Sequence, residues 1–162
     1  MEYVVAAVLG YLLGSIPAAL LVARRHGVDL RRTGDGNPGA WNALEQLGGR
    51  RALPAFLGDA AKGLVAGVLG LSLAGWWGGF AGVLGAMLGH AFPVFAGFRG
   101  GKAVMTFVGG MFALAPLAAL VCLAVCVAVT AATGVLMGLI GLLFLLDTSG
   151  RARSAPAAPP PS

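Results

Sequence analysis

Three long intervals of the sequence contain no charged residue, and they constrain the fold more than any other feature. Residues 3–23 form 21 such positions, residues 63–98 form 36 and residues 103–146 form 44. A membrane-spanning helix needs roughly 20 apolar residues, so the first interval predicts one crossing. The second would be about 54 Å long as a helix and predicts two crossings, as does the third. We therefore expect about five crossings.

The composition excludes a water-soluble fold. Hydrophobic residues make up 58 % of the chain and charged residues 10 %, whereas soluble domains carry about 25 % charged residues. This balance excludes a soluble enzyme, a disordered chain and a disulfide scaffold. The 27 glycines indicate close packing, because small residues let membrane helices approach one another. The sequence therefore predicts an all-α, polytopic helix bundle in which some crossings can be broken into short helices.

The two longer intervals must contain internal breaks. Trp76 and Trp77, which lie among glycines, predict a break in the second interval, since Trp is enriched at membrane interfaces. In the third interval, a break near Pro116 and a break within residues 130–134 remain alternatives. Cys122 and Cys126 also lie there, four residues apart on one helix. We interpret them as small residues in a packing face and expect neither a disulfide nor a metal role for them.

The basic residues predict the orientation in the membrane. All 11 of them fall in alternate loops of a five-crossing arrangement. The positive-inside rule then places the loops at residues 24–51 and 91–102 in the cytoplasm, with the N-terminus outside and the C-terminus cytoplasmic. We expect residues 1–147 to form a single transmembrane domain. Residues 148–162, rich in Arg, Ser, Ala and Pro, predict a disordered cytoplasmic tail.

The first loop motif spans residues 34–42 and reads Gly-Asp-Gly-Asn-Pro-Gly-Ala-Trp-Asn. Glycines at 34, 36 and 39 permit positive φ values and expose backbone N–H groups, which together can bind an anion. A helix that starts near Pro38 would add a partial positive charge. A simple turn that returns the chain to the membrane is the alternative, and the motif alone favours neither.

The second loop motif spans residues 89–102, from Gly-His to Gly-Gly-Lys. A helix start usually favours an anionic group, and a lysine there is unexpected. The position of Lys102 beside glycine N–H groups is explained if an anion binds between the lysine and these groups. A membrane-anchoring role for Arg99 and Lys102, and a structural role for His90, are the alternatives. The motif also contains aromatic residues that suit either an interfacial belt or the entrance for an acyl chain: Phe92, Phe95 and Phe98.

One ionic pair is predicted inside a helix. Asp59 and Lys62 are three residues apart and therefore share a helix face. They fall where the second crossing leaves the cytoplasm, and pairing lowers the cost of burying both charges there. A structural pair and a functional pair are equally compatible with the sequence.

These motifs are together similar to those of a known family. Residues 1–110 resemble the bacterial acyl-phosphate-dependent glycerol-3-phosphate acyltransferases of the PlsY type, and five motifs agree in order and spacing: Gly14-Ser15-Ile16-Pro17, residues 34–42, Asp59-Ala60-Ala61-Lys62-Gly63, Gly89-His90-Ala91-Phe92-Pro93 and Gly100-Gly101-Lys102. The resemblance implies transfer of an acyl chain from acyl phosphate to the 1-hydroxyl of glycerol 3-phosphate, which yields lysophosphatidic acid for phospholipid synthesis. It implies no metal and no cofactor, and an active site on the cytoplasmic side of the cell (plasma) membrane among membrane lipids.

The resemblance also implies the site residues. Lys102 would hold a phosphate, and His90 and the asparagines would position the substrates or the loop. The candidate catalytic residues are His90, Lys102, Asn37 and Asp35. The candidate substrate-binding residues are Gly34, Gly36, Gly39, Asn42, Gly100, Gly101 and Arg99.

The chain differs from the family pattern at several positions. Asp35 stands where the family has serine, Trp41 where it has threonine and Glu45 where it has arginine. The phosphate could instead be held by arginines that are near in the sequence: Arg31, Arg32, Arg50 and Arg51. The family's C-terminal motif has no counterpart, so we expect a divergent and C-terminally shortened relative. These differences leave open a catalytically silent or altered-substrate membrane relative with a lipid-binding or regulatory role. A small transporter is disfavoured, because the charges cluster at one rim instead of the bilayer midplane.

Overall fold

All regular secondary structure in the part of the chain that the structure describes is helical. A computed structural model describes residues 1–153, and no strand occurs among them. The helices are α1 (Glu2–Gly14), α2 (Ala18–Arg25), α3 (Ala40–Leu47), α4 (Gly49–Ala91), α5 (Val104–Leu114) and α6 (Pro116–Arg153), with one 3-10 turn at Val94–Ala96. Among the described residues, three helical segments are long and apolar enough to cross a membrane: Glu2–Arg25, Gly49–Ala96 and Pro116–Val135. The prediction of an all-α membrane fold is confirmed for these residues.

The two longer charge-free intervals are interrupted near the predicted places. Inside α4, Ala74 (φ −147°, ψ 32°) and Gly75 (φ 61°, ψ −154°) leave the helical conformation directly before Trp76. In the third interval, Ala115 (φ −149°, ψ 68°) separates α5 from α6, which begins at Pro116. The alternative break at residues 130–134 lies within the continuous helix α6.

The first interval contains a break that the sequence analysis did not locate. Helix α1 ends at Gly14 and α2 begins at Ala18. Pro17 has no N–H to donate and disfavours the helical conformation of the residue before it. The carbonyl of Ile16 is freed by this break and accepts a hydrogen bond from Lys62 Nζ at 3.0 Å. The interval therefore contains two short helices instead of one continuous helix.

Helices α1, α4 and α5 pack through direct backbone contact at glycines. Helix α4 folds back at its break, so that Gly70 lies against Gly78. Helix α1 packs on the second half of α4, and α5 packs on the first half. An added Cβ would collide with the opposing backbone at Gly10 (with Gly82), Gly14 (with Ala86), Gly63 (with Thr106) and Gly109 (with Ala60). We call this assembly the helix stack, and its contacts confirm the prediction of glycine-mediated close packing.

Helices α2 and α3 and the start of α4 form a second packed region, which we call the loop end. Its buried apolar core holds Leu30, from the loop between α2 and α3, at 0 % exposure. The other core residues come from the three helices: Ala19, Leu20, Ala23, Ala40, Ala43, Ala52 and Ala55. Because this core contacts both ends of the loop between α2 and α3, it fixes where the first loop motif lies.

The residues from Val121 onward form a separate compact unit, which contains the greater part of α6. Cys122 and Cys126 are exposed free cysteines there. The helix runs to Arg153, past the point where the sequence predicts a disordered tail to begin. Residues 154–162 of that predicted tail lie outside the described residues.

Candidate active site

Asn42 holds the loop between α2 and α3 in shape. This side chain is 1 % exposed, and the two N–H groups of its Nδ2 are shared among the carbonyl oxygens of Leu30, Thr33 and Asn37, at 3.0, 2.9 and 3.0 Å. Asp35 Oδ1 in turn accepts a hydrogen bond from the backbone N–H of Asn37 at 2.9 Å. The side chain of Asn42, a predicted substrate-binding residue, therefore organises the loop from within.

Arg31 joins this loop to the loop between α4 and α5. Its Nη2 donates to the carbonyl oxygen of Ala96 and, at 2.9 Å, to that of Arg99. The second loop is conformationally strained on both sides of its Gly-Gly-Lys turn, because Phe98 and Ala103 have φ values of 59° and 57°, which non-glycine residues rarely adopt. The sequence analysis named Arg31 only as one of four nearby arginines that could hold a phosphate, and nothing in the sequence distinguished it from the other three.

A polar cleft opens between the two loops. Its cations are Arg31, Arg99 and Lys102, and it contains one carboxylate, that of Asp35. The Nζ of Lys102 lies 4.0 Å from Asp35 Oδ2, and the two side chains are 74 % and 49 % exposed. The remaining lining residues are Gly36, Asn37, Pro38 and Gly100. The cleft therefore combines three positive charges with one negative charge in contact with water.

The backbone N–H groups of the glycine turns are largely occupied. Gly100 N donates to the carbonyl of Ala91 and Gly101 N to that of His90, both at 3.1 Å, and Gly36 N donates to that of Thr33 at 3.1 Å. This differs from the sequence expectation that these N–H groups are free to bind an anion. The cationic side chains of the polar cleft remain as donors for such an anion.

An apolar cleft adjoins the polar one. Its apolar walls are formed by Trp41 and Phe56 and by the start of α5, and its lining also contains His90 and Asp59. Three residues line both clefts: Asp35, Asn37 and Lys102. A charged compartment and an apolar compartment therefore meet at side chains that the sequence analysis selected.

A buried ionic cluster lies beside the apolar cleft. Asp59 Oδ1 and Lys62 Nζ form an ion pair at 2.8 Å, with side chains 2 % and 6 % exposed, which confirms that the two share one helix face. His90 Nδ1 lies 3.5 Å from Asp59 Oδ1 and is hydrogen-bonded to Thr106 Oγ1 at 3.2 Å. Sequence reasoning noted the ion pair but gave no reason to connect it to His90 or Thr106.

His90 requires glycine at position 101. A Cβ added to Gly101 would lie 2.5 Å from His90 Nε2 and 3.4 Å from Asn37 Oδ1. The first distance is too short for a non-bonded contact, so the backbone of the Gly-Gly-Lys turn packs directly against the imidazole. The turn thereby brings His90 and Asn37 to the same side of the site.

Several charged residues that the sequence made candidates lie away from the polar cleft. Glu45 Oε1 accepts a hydrogen bond from Trp41 Nε1 at 2.9 Å on the exposed face of α3, and Glu45 is not among the described residues that line the polar cleft. Arg50 and Arg51 line a different cleft together with His26. Within residues 1–153, no three His, Cys, Asp or Glu side chains converge as a metal-ligand set.

Comparison with known proteins identifies the family. The family model for glycerol-3-phosphate acyltransferase matches residues 4–146. The chain belongs to the glycerol-3-phosphate acyltransferase family. A family member from Symbiobacterium thermophilum, named glycerol-3-phosphate acyltransferase, is 50 % identical over 123 residues, which cover 76 % of this chain and 62 % of the relative. The chain spans about three fifths of the length of the curated relatives that it matches.

Solved structures of one family member have a similar fold. The glycerol 3-phosphate form of PlsY (YgiH), described as an integral membrane glycerol 3-phosphate acyltransferase, superposes with a TM-score of 0.72 at 37 % sequence identity and covers 80 % of this chain and 66 % of that one. The lysophosphatidic acid form of the same protein gives a TM-score of 0.66 at 37 % identity and covers 74 % of this chain and 60 % of that one. This chain is therefore a membrane protein of the same family and fold.

The structure brings most of the sequence-predicted site residues together. Arg99 and Gly100 line the polar cleft, and Gly39 and Asn42 line the apolar cleft. Gly34 is instead an exposed residue of the loop between α2 and α3, and a Cβ added to it would collide with Asn42 Oδ1. The structure adds Arg31, Phe56, Asp59 and Thr106 to the site, which the sequence-based selection did not contain.

Proposed function

We propose that this chain transfers an acyl chain from acyl phosphate to the 1-hydroxyl of glycerol 3-phosphate and forms lysophosphatidic acid. One observation carries the proposal: a cationic cleft and an apolar cleft meet at Asp35, Asn37 and Lys102. Acyl transfer to a phosphorylated alcohol needs such a junction, because the phosphate groups require cations and the acyl chain requires apolar walls. The ligand forms of the PlsY structures are consistent with this chemistry.

Three cations are available for the phosphate of glycerol 3-phosphate. Lys102, Arg99 and Arg31 all line the polar cleft. Arg31 Nη2 is held by the carbonyls of Ala96 and Arg99, so Arg31 would act on the phosphate mainly through the positive potential that its charge adds to the cleft. Arg50 and Arg51 belong to another cleft. Arg31 therefore supplies the positive charge that the family's arginine would provide at position 45, where this chain has a glutamate.

The reaction step needs no strongly basic side chain. The acceptor hydroxyl oxygen attacks the carbonyl carbon of acyl phosphate, the bond from that carbon to the phosphate oxygen breaks, and inorganic phosphate leaves with the hydroxyl proton. His90 and Asn37 would orient the hydroxyl, while Lys102 would stabilise the charge that develops on the leaving phosphate. The chain's contribution is therefore positioning and electrostatic stabilisation.

The orientation in the membrane belongs to the same proposal. We place the polar cleft on the cytoplasmic side of the cell membrane, with about five crossings, the N-terminus outside and a cytoplasmic tail at residues 148–162. Ten of the 11 basic residues, all except Lys62, fall in residues 24–51, 91–102 and 148–162, which supports this arrangement. Residues 1–147 would then form the acyltransferase domain, and acyl phosphate, glycerol 3-phosphate and membrane lipids would be its partners.

A direct assay tests the proposal. The purified chain in mild detergent is given palmitoyl phosphate and labelled glycerol 3-phosphate, with palmitoyl-CoA as the control donor. We expect labelled lysophosphatidic acid from palmitoyl phosphate alone. If a folded, monodisperse chain gives no product with either donor, the alternative of a catalytically silent or altered-substrate relative replaces this proposal.

A further inference from the structure

A buried polar cluster behind the apolar cleft contains more charge than the reaction step uses. The side chains of Asp59, Lys62 and His90 are 2 %, 6 % and 8 % exposed, and Thr106 is 0 % exposed. Removing charges from water costs free energy that an ion pair at best roughly recovers, and charged side chains inside membrane helices are usually functional. A role confined to packing would be met at least as well by apolar side chains.

The environment of His90 determines which ring nitrogen carries the proton. Its Nδ1 faces Thr106 Oγ1 at 3.2 Å and the carboxylate of Asp59 at 3.5 Å. A lone pair on Nδ1 would point at a negative charge, whereas an N–H there is attracted to it. The carboxylate therefore favours the proton on Nδ1, with Thr106 Oγ1 as its acceptor, and this tautomer leaves Nε2 as a hydrogen-bond acceptor. Nε2 is the atom that lies against Gly101 in the Gly-Gly-Lys turn.

Lys62 holds Asp59 in the position that this arrangement needs. Its Nζ contacts Asp59 Oδ1 at 2.8 Å and donates to the carbonyl of Ile16 at 3.0 Å. That carbonyl is available because the helix breaks between α1 and α2. The lysine is thus anchored to two groups, and the carboxylate cannot turn away from His90 without losing its ion pair.

We infer that Asp59, held by Lys62, is a positioning residue that fixes the tautomer of His90, with the proton on Nδ1 and Nε2 left as a hydrogen-bond acceptor beside the Gly-Gly-Lys turn, where His90 lines the apolar cleft. The kinetic consequence rests on the proposed acyl transfer, whereas the tautomer itself does not. The two parts can therefore be tested separately.

The first test observes the tautomer directly. The chain contains two histidines, His26 and His90, so His26→Gln leaves a single imidazole for nitrogen-15 NMR. We expect the Nδ1–H tautomer in this background. Adding Asp59→Asn together with Lys62→Met removes both charges and should convert the signal mainly to the Nε2–H tautomer. Glu45→Gln, a matched carboxylate-to-amide change at a residue bonded to Trp41, should leave the signal unchanged. Equal spectra with and without Asp59 would overturn the inference.

The second test asks whether Asp59 acts through His90. Asp59→Asn/Lys62→Met should lower kcat by about 10- to 100-fold, a loss of the size known for residues that orient the histidines of metal sites, and should leave KM for glycerol 3-phosphate nearly unchanged. In a His90→Gln background the same double change should have no further effect. Equal losses in both backgrounds would show a structural role and overturn the inference. Absence of product from the unaltered chain would contradict the proposed function, and the NMR result would then decide the role of Asp59 alone.

Discussion

The helix stack and the loop end are held together by different interactions. In the stack, the backbones of α1, α4 and α5 touch at glycines, and an added Cβ at Gly10 or Gly63 has no space. At the loop end, single charged or polar side chains hold the loops around the apolar core: Arg31 donates to two carbonyls of the other loop, and Asn42 Nδ2 contacts three carbonyls of its own. The stack is therefore sensitive to volume, and the polar cleft at the loop end is sensitive to charge.

The largest expected effect comes from removing a charge at the polar cleft. Lys102→Ala should lower kcat/KM by about 100- to 1,000-fold, the usual cost of losing one electrostatic stabiliser of the transition state. The thermal unfolding midpoint should stay the same, because the side chain is 74 % exposed. Rates and unfolding curves measured on one preparation check both parts. Unchanged turnover would mean that the phosphate binds elsewhere.

A larger side chain in the helix stack should instead lower the stability of the fold. Gly10→Ala should destabilise the fold by about 1–3 kcal/mol, as overpacking does, because the new Cβ collides with the backbone of Gly82. The control is Gly49→Ala, where the nearest side-chain atom, Leu44 Cδ1, is 3.8 Å from the added Cβ. Thermal unfolding in detergent measures both. Equal stability of the two variants would contradict the close packing of α1 on α4.

A smaller effect is expected from the one carboxylate in the polar cleft. Asp35 competes with a bound phosphate for Lys102, from which it is 4.0 Å distant. At that separation in water, the interaction between two unit charges is worth about 1 kcal/mol. Asp35→Ser should therefore lower KM for glycerol 3-phosphate by about fivefold. Initial rates over a range of acceptor concentrations measure this change.

The matched change at the other unusual carboxylate should have almost no effect. Glu45→Gln keeps an acceptor for Trp41 Nε1 and lies away from the residues that line the polar cleft. We expect its KM for glycerol 3-phosphate to equal that of the unaltered chain. A drop in KM as large as that of Asp35→Ser would show that α3, and not the Gly-Gly-Lys turn, faces the phosphate.

The sequence predicted the features that depend on local chemistry. Trp76 and Pro116 located two helix breaks, and the glycine-rich motifs located the loops that form the site. The break before Pro17 was missed because counting uncharged residues does not detect a proline inside an apolar run. The bonds of Arg31 to Ala96 and Arg99 connect residues more than 60 positions apart. Such contacts, like that of His90 with Asp59, exist only after the helices pack, and no spacing rule reveals them.

Equilibrium binding of labelled glycerol 3-phosphate tests the central claim most directly, because it needs no turnover. The unaltered chain is compared with Lys102→Ala, in the polar cleft, and Arg50→Ala, in the separate cleft beside His26. Both variants lose one positive charge, so the non-specific effect of net charge is matched. We predict saturable binding that is lost in Lys102→Ala and retained in Arg50→Ala. Binding that survives in Lys102→Ala, or is lost in Arg50→Ala, would contradict the assignment of the polar cleft as the phosphate site.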